Sequence, residues 1–304
     1  MSRSVFPLPL CGRLLLAASL CLWLLCGCQQ QPERVLLQEH VLEDSVALAG
    51  NDGPVCRAML RIVTLSPAEP RNAGRAEPPT QASQLGISPA ERINEYILTQ
   101  LLGQPVGVST EEALDGCMDD YLREFTHIVR EMYYEDLAYE EQSDSAEADA
   151  PPSSLGLKAR YSFDYRTEAS AQTGRGDSVV CYRLSTYRYM GGAHGMSNQR
   201  WVTFSLRSGR PVTWQQLFGE GAAELLCRLL TRKLMEQEGV ESEEALHELG
   251  FLDLGDMFVS DDMLMESDRI VFHYDPYELA PYVLGDIDIA FSYKEIEHYM
   301  DAGG

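Results

Sequence analysis

The chain reads as an α+β protein with antiparallel sheets, packed helices and two adjoining sub-domains. Several segments alternate apolar and polar residues with a period of two, others repeat apolar residues every three or four positions, and the two kinds do not follow one another as strict strand-helix-strand units. With 304 residues, 45% of them hydrophobic, the chain is long enough for two modest domains or one large one.

The amino-terminal end is ordered like an export signal. Arg3 and Arg13 precede an apolar run of 12 residues, 14–25, which closes in Leu25-Cys26-Gly27-Cys28. That run falls short of the roughly 18 to 20 residues of a spanning helix, and small Gly27 gives a peptidase access to the bond before Cys28. The closing tetrad resembles the lipobox of bacterial lipoproteins. Residues 1–27 are therefore expected to leave as a signal peptide, Cys28 to carry the lipid, and 28–33 to form a tether to the membrane. The implied location is the cell envelope, periplasmic or surface, with the remainder of the chain outside the cytoplasm.

Charge narrows the partners. Lys and Arg total 24 against 47 Asp and Glu, a formal charge of −23, and loss of Arg3 and Arg13 with the signal takes it to −25. Nucleic acid is excluded as a default partner, because phosphate backbones are held by Lys and Arg clusters. Excess carboxylate instead attracts basic partners. Four cysteines lie beyond Cys28: Cys56, Cys117, Cys181 and Cys227. Their wide spacing does not fit a metal knuckle, and both two disulfides and four buried thiols are compatible with it.

Elements follow from the N-terminus. Strands are expected at 35–49, 56–65, 159–167, 179–189, 201–206, 270–274 and 287–291 from their alternation. In the fifth, Val202, Phe204 and Leu206 oppose Trp201, Thr203 and Ser205, and the turn Ser208-Gly209-Arg210-Pro211 closes it. The first helix starts at Ser88-Pro89-Ala90-Glu91, where Ser caps, Pro takes the first position and Glu reaches back, and Ile93, Ile97 and Leu101 line its buried side. A second capping box, Ser109 to Glu112, opens a longer helix with Leu114, Cys117, Tyr121, Phe125, Ile128 and Met132 on one stripe. A third follows Gly221 with Ala222, Leu225, Leu226, Leu229, Leu230 and Leu234. Residues 67–84 and 139–154, rich in Pro, Ser, Ala and acids, read as surface loops.

Candidate chemistry concentrates in two places. Gly191, Gly192 and Gly195 surround Ala193 and His194 between two strongly patterned strands, so positive φ or close backbone approach is expected there, and a histidine on such a turn has both donor and acceptor capacity. The second is the aromatic, Pro-punctuated segment 273–282, which carries His273, Tyr274, Asp275, Tyr277, Glu278 and Tyr282. No zinc-protease helix, nucleophile elbow, phosphate loop or dinucleotide fingerprint occurs, so no catalytic residue, cofactor or metal is expected.

Tyr189-x-Gly191-Gly192-Ala193-His194-Gly195, then Trp214-x-x-Leu217-Phe218, Ile270-Val271-Phe272-x-Tyr274-x-Pro276-Tyr277-Glu278-Leu279-Ala280-Pro281-Tyr282 and Phe291-Ser292-Tyr293-x-Glu295-Ile296 fall in a familiar order. The chain thereby resembles the paired domains of unknown function in the extracellular parts of lysozyme-sensing anti-sigma factors and in the amino-terminal region of some peptidoglycan deacetylases. The resemblance implies a first α+β domain over 34–194 and a second over 195–300. It also implies a non-catalytic envelope protein that binds a protein ligand such as lysozyme, or a peptidoglycan-type glycan. Gly191, Gly192, His194, Tyr274, Tyr277 and Tyr282 are the ligand-binding candidates. The competing expectation is a hydrolase of cell-wall or other glycan, working through His194 and two carboxylates.

Overall fold

The computed structural model describes residues 35–67, 87–143, 153–253 and 256–300. The expected signal peptide and tether, Cys28 and nearly all of the loop expected at 67–84 lie outside these residues. Five strands form the first sheet in sequence order: β1 (Val35–Ala47), β2 (Val55–Pro67), β3 (Phe163–Thr173), β4 (Val179–Met190) and β5 (Met196–Ser205). Pairing is antiparallel except between β2 and β3, which run parallel. A parallel pair needs a long crossover, and here three helices supply it: α1 (Pro89–Leu102), α2 (Thr110–Ser143) and α3 (Ser153–Tyr161).

The capping box of α1 forms as its sequence requires. Glu91 N donates to Ser88 Oγ, and Ser88 N donates to Glu91 Oε2 at 2.7 Å. These bonds stabilise the ionised carboxylate and lower the Glu91 pKa. Asn94 then grips β2, donating from Nδ2 to Leu65 O and accepting from Leu65 N, both at 2.8 Å. One side-chain amide thus satisfies both polar groups of a backbone residue.

Along α2 the buried line departs from the expected stripe. Cys117, Tyr121, Phe125, Val129 and Tyr133 are buried, whereas Ile128 and Met132 are exposed. Each step of four residues overshoots a 3.6-residue turn by about 40°, so the buried line winds around the helix and leaves the three-residue alternative in solvent. Two further boundaries move. Helix α2 continues to Ser143 and α3 starts at Ser153, which takes both ends of the loop expected at 139–154. Residues 159–161 close α3 rather than opening a strand, and β3 starts at Phe163. Tyr161 OH and Arg160 Nη1 both reach Asp136 Oδ2, at 2.7 and 3.1 Å, and so fasten α3 to α2.

The second sheet contains β6 (Met263–Met265), β7 (Arg269–Tyr274) and β8 (Ile287–Ser292), all antiparallel. Around it lie α4 (Trp214–Phe218), α5 (Ala223–Glu238), α6 (Glu243–Glu248) and α7 (Tyr293–Ile296). Helix α5 buries Leu226, Leu229, Leu230 and Leu234.

Each sheet has its own core, and β4 with β5 serves both. Val180, Tyr182, Leu184, Val202 and Phe204 join the core under α1 and α2, while Val179, Cys181 and Trp201 face the core of the second sheet. Thr203 stitches the two sheets, donating to Met263 O at 2.9 Å and accepting from Met265 N at 3.0 Å. The domain boundary expected at 194/195 therefore falls in the turn between two paired strands, and β5 belongs by hydrogen bonding to the first sheet. Cys56, Cys117, Cys181 and Cys227 are all free thiols, the first three buried. Burial pushes Cys56 up to about 12, which disfavours the reactive thiolate.

Candidate functional site

The glycine turn joins β4 to β5. Gly191 and Gly192 have φ of 83° and 96°, a region that L side chains rarely occupy. A Cβ on Gly191 would stand 2.1 Å from Arg160 O, so that position also requires close approach to α3. Tyr189 OH donates to Gly192 O at 3.0 Å and braces the turn. His194 is exposed, with its Nδ1 3.3 Å from Gly195 O. The glycines here build a hairpin, and no hydrogen bond or ion pair of His194 leads to a carboxylate.

The aromatic segment divides sharply. Tyr274, a ligand-binding candidate by sequence, is wholly buried, and its hydroxyl donates to Phe258 O at 2.7 Å. It is a core residue at the end of β7. Beyond it the chain leaves the sheet and returns at β8, anchored by buried Leu279 and Ala280. Tyr277 adopts a φ of 75°, unusual for a bulky residue, and its N–H bonds to Ala280 O at 2.9 Å. The turn throws Tyr277 and Tyr282 outward with rings stacked at 5.8 Å and 29°. They are 64% and 67% exposed, and Val283 is 87% exposed. Leu284 and Leu249, at the end of α6, are exposed as well, and a Cβ on neighbouring Gly250 would touch Leu284 and Pro281 at 3.9 Å. The result is a shelf of aromatic and aliphatic surface. Sequence reading selected Tyr277 and Tyr282 but not Val283, Leu284 or Leu249, whose apolar character is equally that of core residues.

Under this shelf, where the hairpin opens, is a cluster that strand register assembles. His273 pairs across the ladder with Asp288, followed by Tyr274 with Ile287, so Asp275 and Asp286 come next. The His273 ring is buried and stacks on Trp201 at 4.1 Å and 12°. Its Nδ1 lies 2.7 Å from Asp288 Oδ1 and its Nε2 3.4 Å from Asp275 Oδ1. Burial works against charge on this ring, but the Asp288 hydrogen bond and the charges of Asp288, Asp275 and Asp286 outweigh it and raise its pKa. Asp262 accepts from Trp201 N at 3.0 Å and faces Arg200 Nε at 3.2 Å, with burial raising its carboxyl. Glu278 is also raised, chiefly by burial, and it accepts from Asp275 N at 2.8 Å.

Two concavities elsewhere have different linings. One of about 420 Å³ involves Asp44, Arg57, Asp164 and Arg166, and another of about 320 Å³ involves Tyr96, Gln100, Asn198 and Arg200. Neither includes a ligand-binding candidate. Among the described residues, no helix is long and apolar enough to cross a membrane.

Residues 215–294, which hold the shelf and the histidine cluster, match the family described as Protein of unknown function (DUF3298). No curated protein matches the chain. A crystal structure of a DUF3298 family member from Bacteroides fragilis is similar with a TM-score of 0.72 at 21% identity, over 90% of this chain and 96% of that one. Another, of a DUF3298 family protein from Pseudomonas aeruginosa, has a TM-score of 0.49 at 15% identity, over 88% of this chain and 96% of that one. The α+β fold with two sheets is shared with the first of these, and the sequence match to the family lies in the second sheet and its helices.

Proposed function

We propose that this chain is a lipid-anchored, extracytoplasmic binding protein that holds a basic wall-degrading protein of the lysozyme kind through the Tyr277–Tyr282 shelf. The observation that carries this reading is the stacked, solvent-facing tyrosine pair beside Val283 and Leu284 on an acidic chain. Binding energy at protein interfaces concentrates on aromatic anchors at a water-excluding centre. The charge of −23 supplies steering of a cationic partner, which speeds encounter more than it strengthens the final complex. The resemblance to lysozyme-sensing proteins selects the partner within that chemical class. A glycan hydrolase needs His194 and two carboxylates around one cleft, and the exposed His194 ring, turned toward the Gly195 carbonyl, lends that reading no support.

The shelf is tested by calorimetry of the full-length chain, in detergent, with lysozyme and separately with soluble peptidoglycan fragments. Tyr277→Ala and Tyr282→Ala are each expected to weaken lysozyme binding by at least about tenfold, the size of an interface anchor. Unchanged affinity in both variants would remove the shelf from the interface, and binding of the glycan fragments alone would replace the protein ligand. The anchor is tested by labelling with an alkyne fatty acid. Wild type should take the label and Cys28→Ser should not.

A further inference from the structure

Although the sequence has no spacing that announces a metal, the hairpin register places three donors together. We propose that His273, Asp275 and Asp286 form a binding site for one divalent transition-metal ion of the zinc type. One ring nitrogen of His273 and one carboxylate oxygen from each aspartate all lie within 4.8 Å of one another. Two ligands held about 2.1 Å from a tetrahedral ion stand about 3.4 Å apart, which is the observed separation of His273 Nε2 from Asp275 Oδ1, 3.4 Å.

The histidine supplies the observation that separates this cluster from an ordinary group of acids. Its side chain is only 1% exposed, yet Nε2 makes no hydrogen bond, and its ion-pair contact is Asp275 Oδ1 at 3.4 Å. Buried polar atoms are seldom left in that state. The other nitrogen, Nδ1, donates to Asp288 Oδ1 at 2.7 Å. That bond orients the ring and turns Nε2 toward the two aspartates, where a dication would take the place of the Nε2 proton, as in carboxylate–histidine–metal triads, in which an outer carboxylate orients the ligating imidazole. Trp201 stacked on the ring holds its plane. Gln199 Nε2 donates to Asp286 Oδ2 at 2.7 Å, which orients the third ligand and leaves its other oxygen to bind.

The donor set decides the class of ion. One imidazole nitrogen favours a first-row transition metal or zinc over magnesium and calcium, which prefer oxygen alone. Two carboxylates balance a dication, and Asp275 and Asp286 reach solvent, so water can complete the coordination. The two aspartates stand at opposite ends of the segment that carries Tyr277 and Tyr282, and a shared ion closes that segment at its base. The cation site rests on this hairpin alone and does not depend on what the shelf binds.

The test is titration of the untagged full-length chain with Zn²⁺ after chelator treatment, followed by calorimetry, by tryptophan fluorescence to report on Trp201, and by nitrogen NMR of the histidine rings. One equivalent is expected to bind, shifting the Nε2 resonance of His273. Asp275→Asn and Asp286→Asn are each expected to weaken binding at least tenfold, because both keep the side-chain shape and sit away from the core. Asp268→Asn, an exposed acid at the other end of the hairpin, should bind like wild type. The proposal is overturned if Zn²⁺ does not bind, if both asparagine variants retain wild-type affinity, or if Mg²⁺ or Ca²⁺ binds as tightly.

Discussion

At Gly192 a single torsion angle separates a structural role from a chemical one. Its φ of 96° is open to glycine but strained for any other side chain, even though a Cβ there would meet no atom within 4 Å. Gly192→Val should therefore cost about 1 to 3 kcal/mol through backbone strain, whereas His194→Ala, at an exposed ring, should change stability by less than about 0.5 kcal/mol. Urea unfolding of the two variants checks this, and a Gly192→Val midpoint equal to wild type would show the turn to be unstrained. The need for glycine here was legible in sequence, because three glycines in five residues between two strands demand an unusual backbone. The division between Tyr274 and Tyr277 was not. Both belong to one aromatic segment, and what separates them is the end of β7, which buries Tyr274 against Phe258 and turns Tyr277 outward. His273, Asp275 and Glu278 were visible together in one segment, but with no signature spacing. The His273 partners Asp286 and Asp288 lie just before and within β8, and one-dimensional spacing does not contain the register that brings them opposite.

Among the elements, helix starts were the most legible, since a capping residue, its reciprocal acid and the first apolar repeat all act within one turn. The boxes at Ser88 and Ser109 form as their residues require. Boundaries set by tertiary contact were less so. Residues 159–161 alternate like a strand, but contacts of Arg160 and Tyr161 with Asp136 hold them in α3. Helices α5 and α7 are joined by Lys233 Nζ and Glu295 Oε1 at 2.5 Å, while Glu295 also accepts from Ser292 N at 2.7 Å. The Lys233 ammonium, then the Ser292 hydroxyl and N–H, hold the Glu295 carboxyl down from about 4.5 to about 2. A lowered carboxyl stabilises the fold fully above its unfolded value and loses that contribution as pH falls through the folded one. The difference in urea midpoint between wild type and Glu295→Gln should thus be present at neutral pH and shrink between about pH 4.5 and 2. Solvent screening of this half-exposed pair keeps it below about 1 kcal/mol. A difference that stays constant across that range would show that the ion pair contributes nothing.

Over the whole molecule the α+β class with antiparallel sheets was legible from periodicity, whereas the pairing of β4 with β5 across the glycine turn was not. A sequence break at 194/195 is a natural place to divide a chain, because the turn there is rich in glycine. Yet β4 and β5 pair across it, and each gives one face to each core, with Tyr182 and Phe204 on one side and Cys181 and Trp201 on the other. The alternation of Val202, Phe204 and Leu206 against Trp201, Thr203 and Ser205 reads as a half-buried strand, and the docking of the second sheet through Thr203 is what buries its other face. The acidic charge is likewise a property of the whole chain. Under the proposed function it would draw cationic proteins to the surface generally, whereas the shelf would add a local apolar contact that salt does not screen. Calorimetry of the full-length chain with lysozyme at about 0.15 and 0.5 M salt, beside an equally basic protein of unrelated fold, separates the two contributions. The proposed binding function predicts a complex that persists at the higher salt and that the basic control does not form. A complex that disappears at 0.5 M, or that the control reproduces, would contradict it and leave only charge attraction.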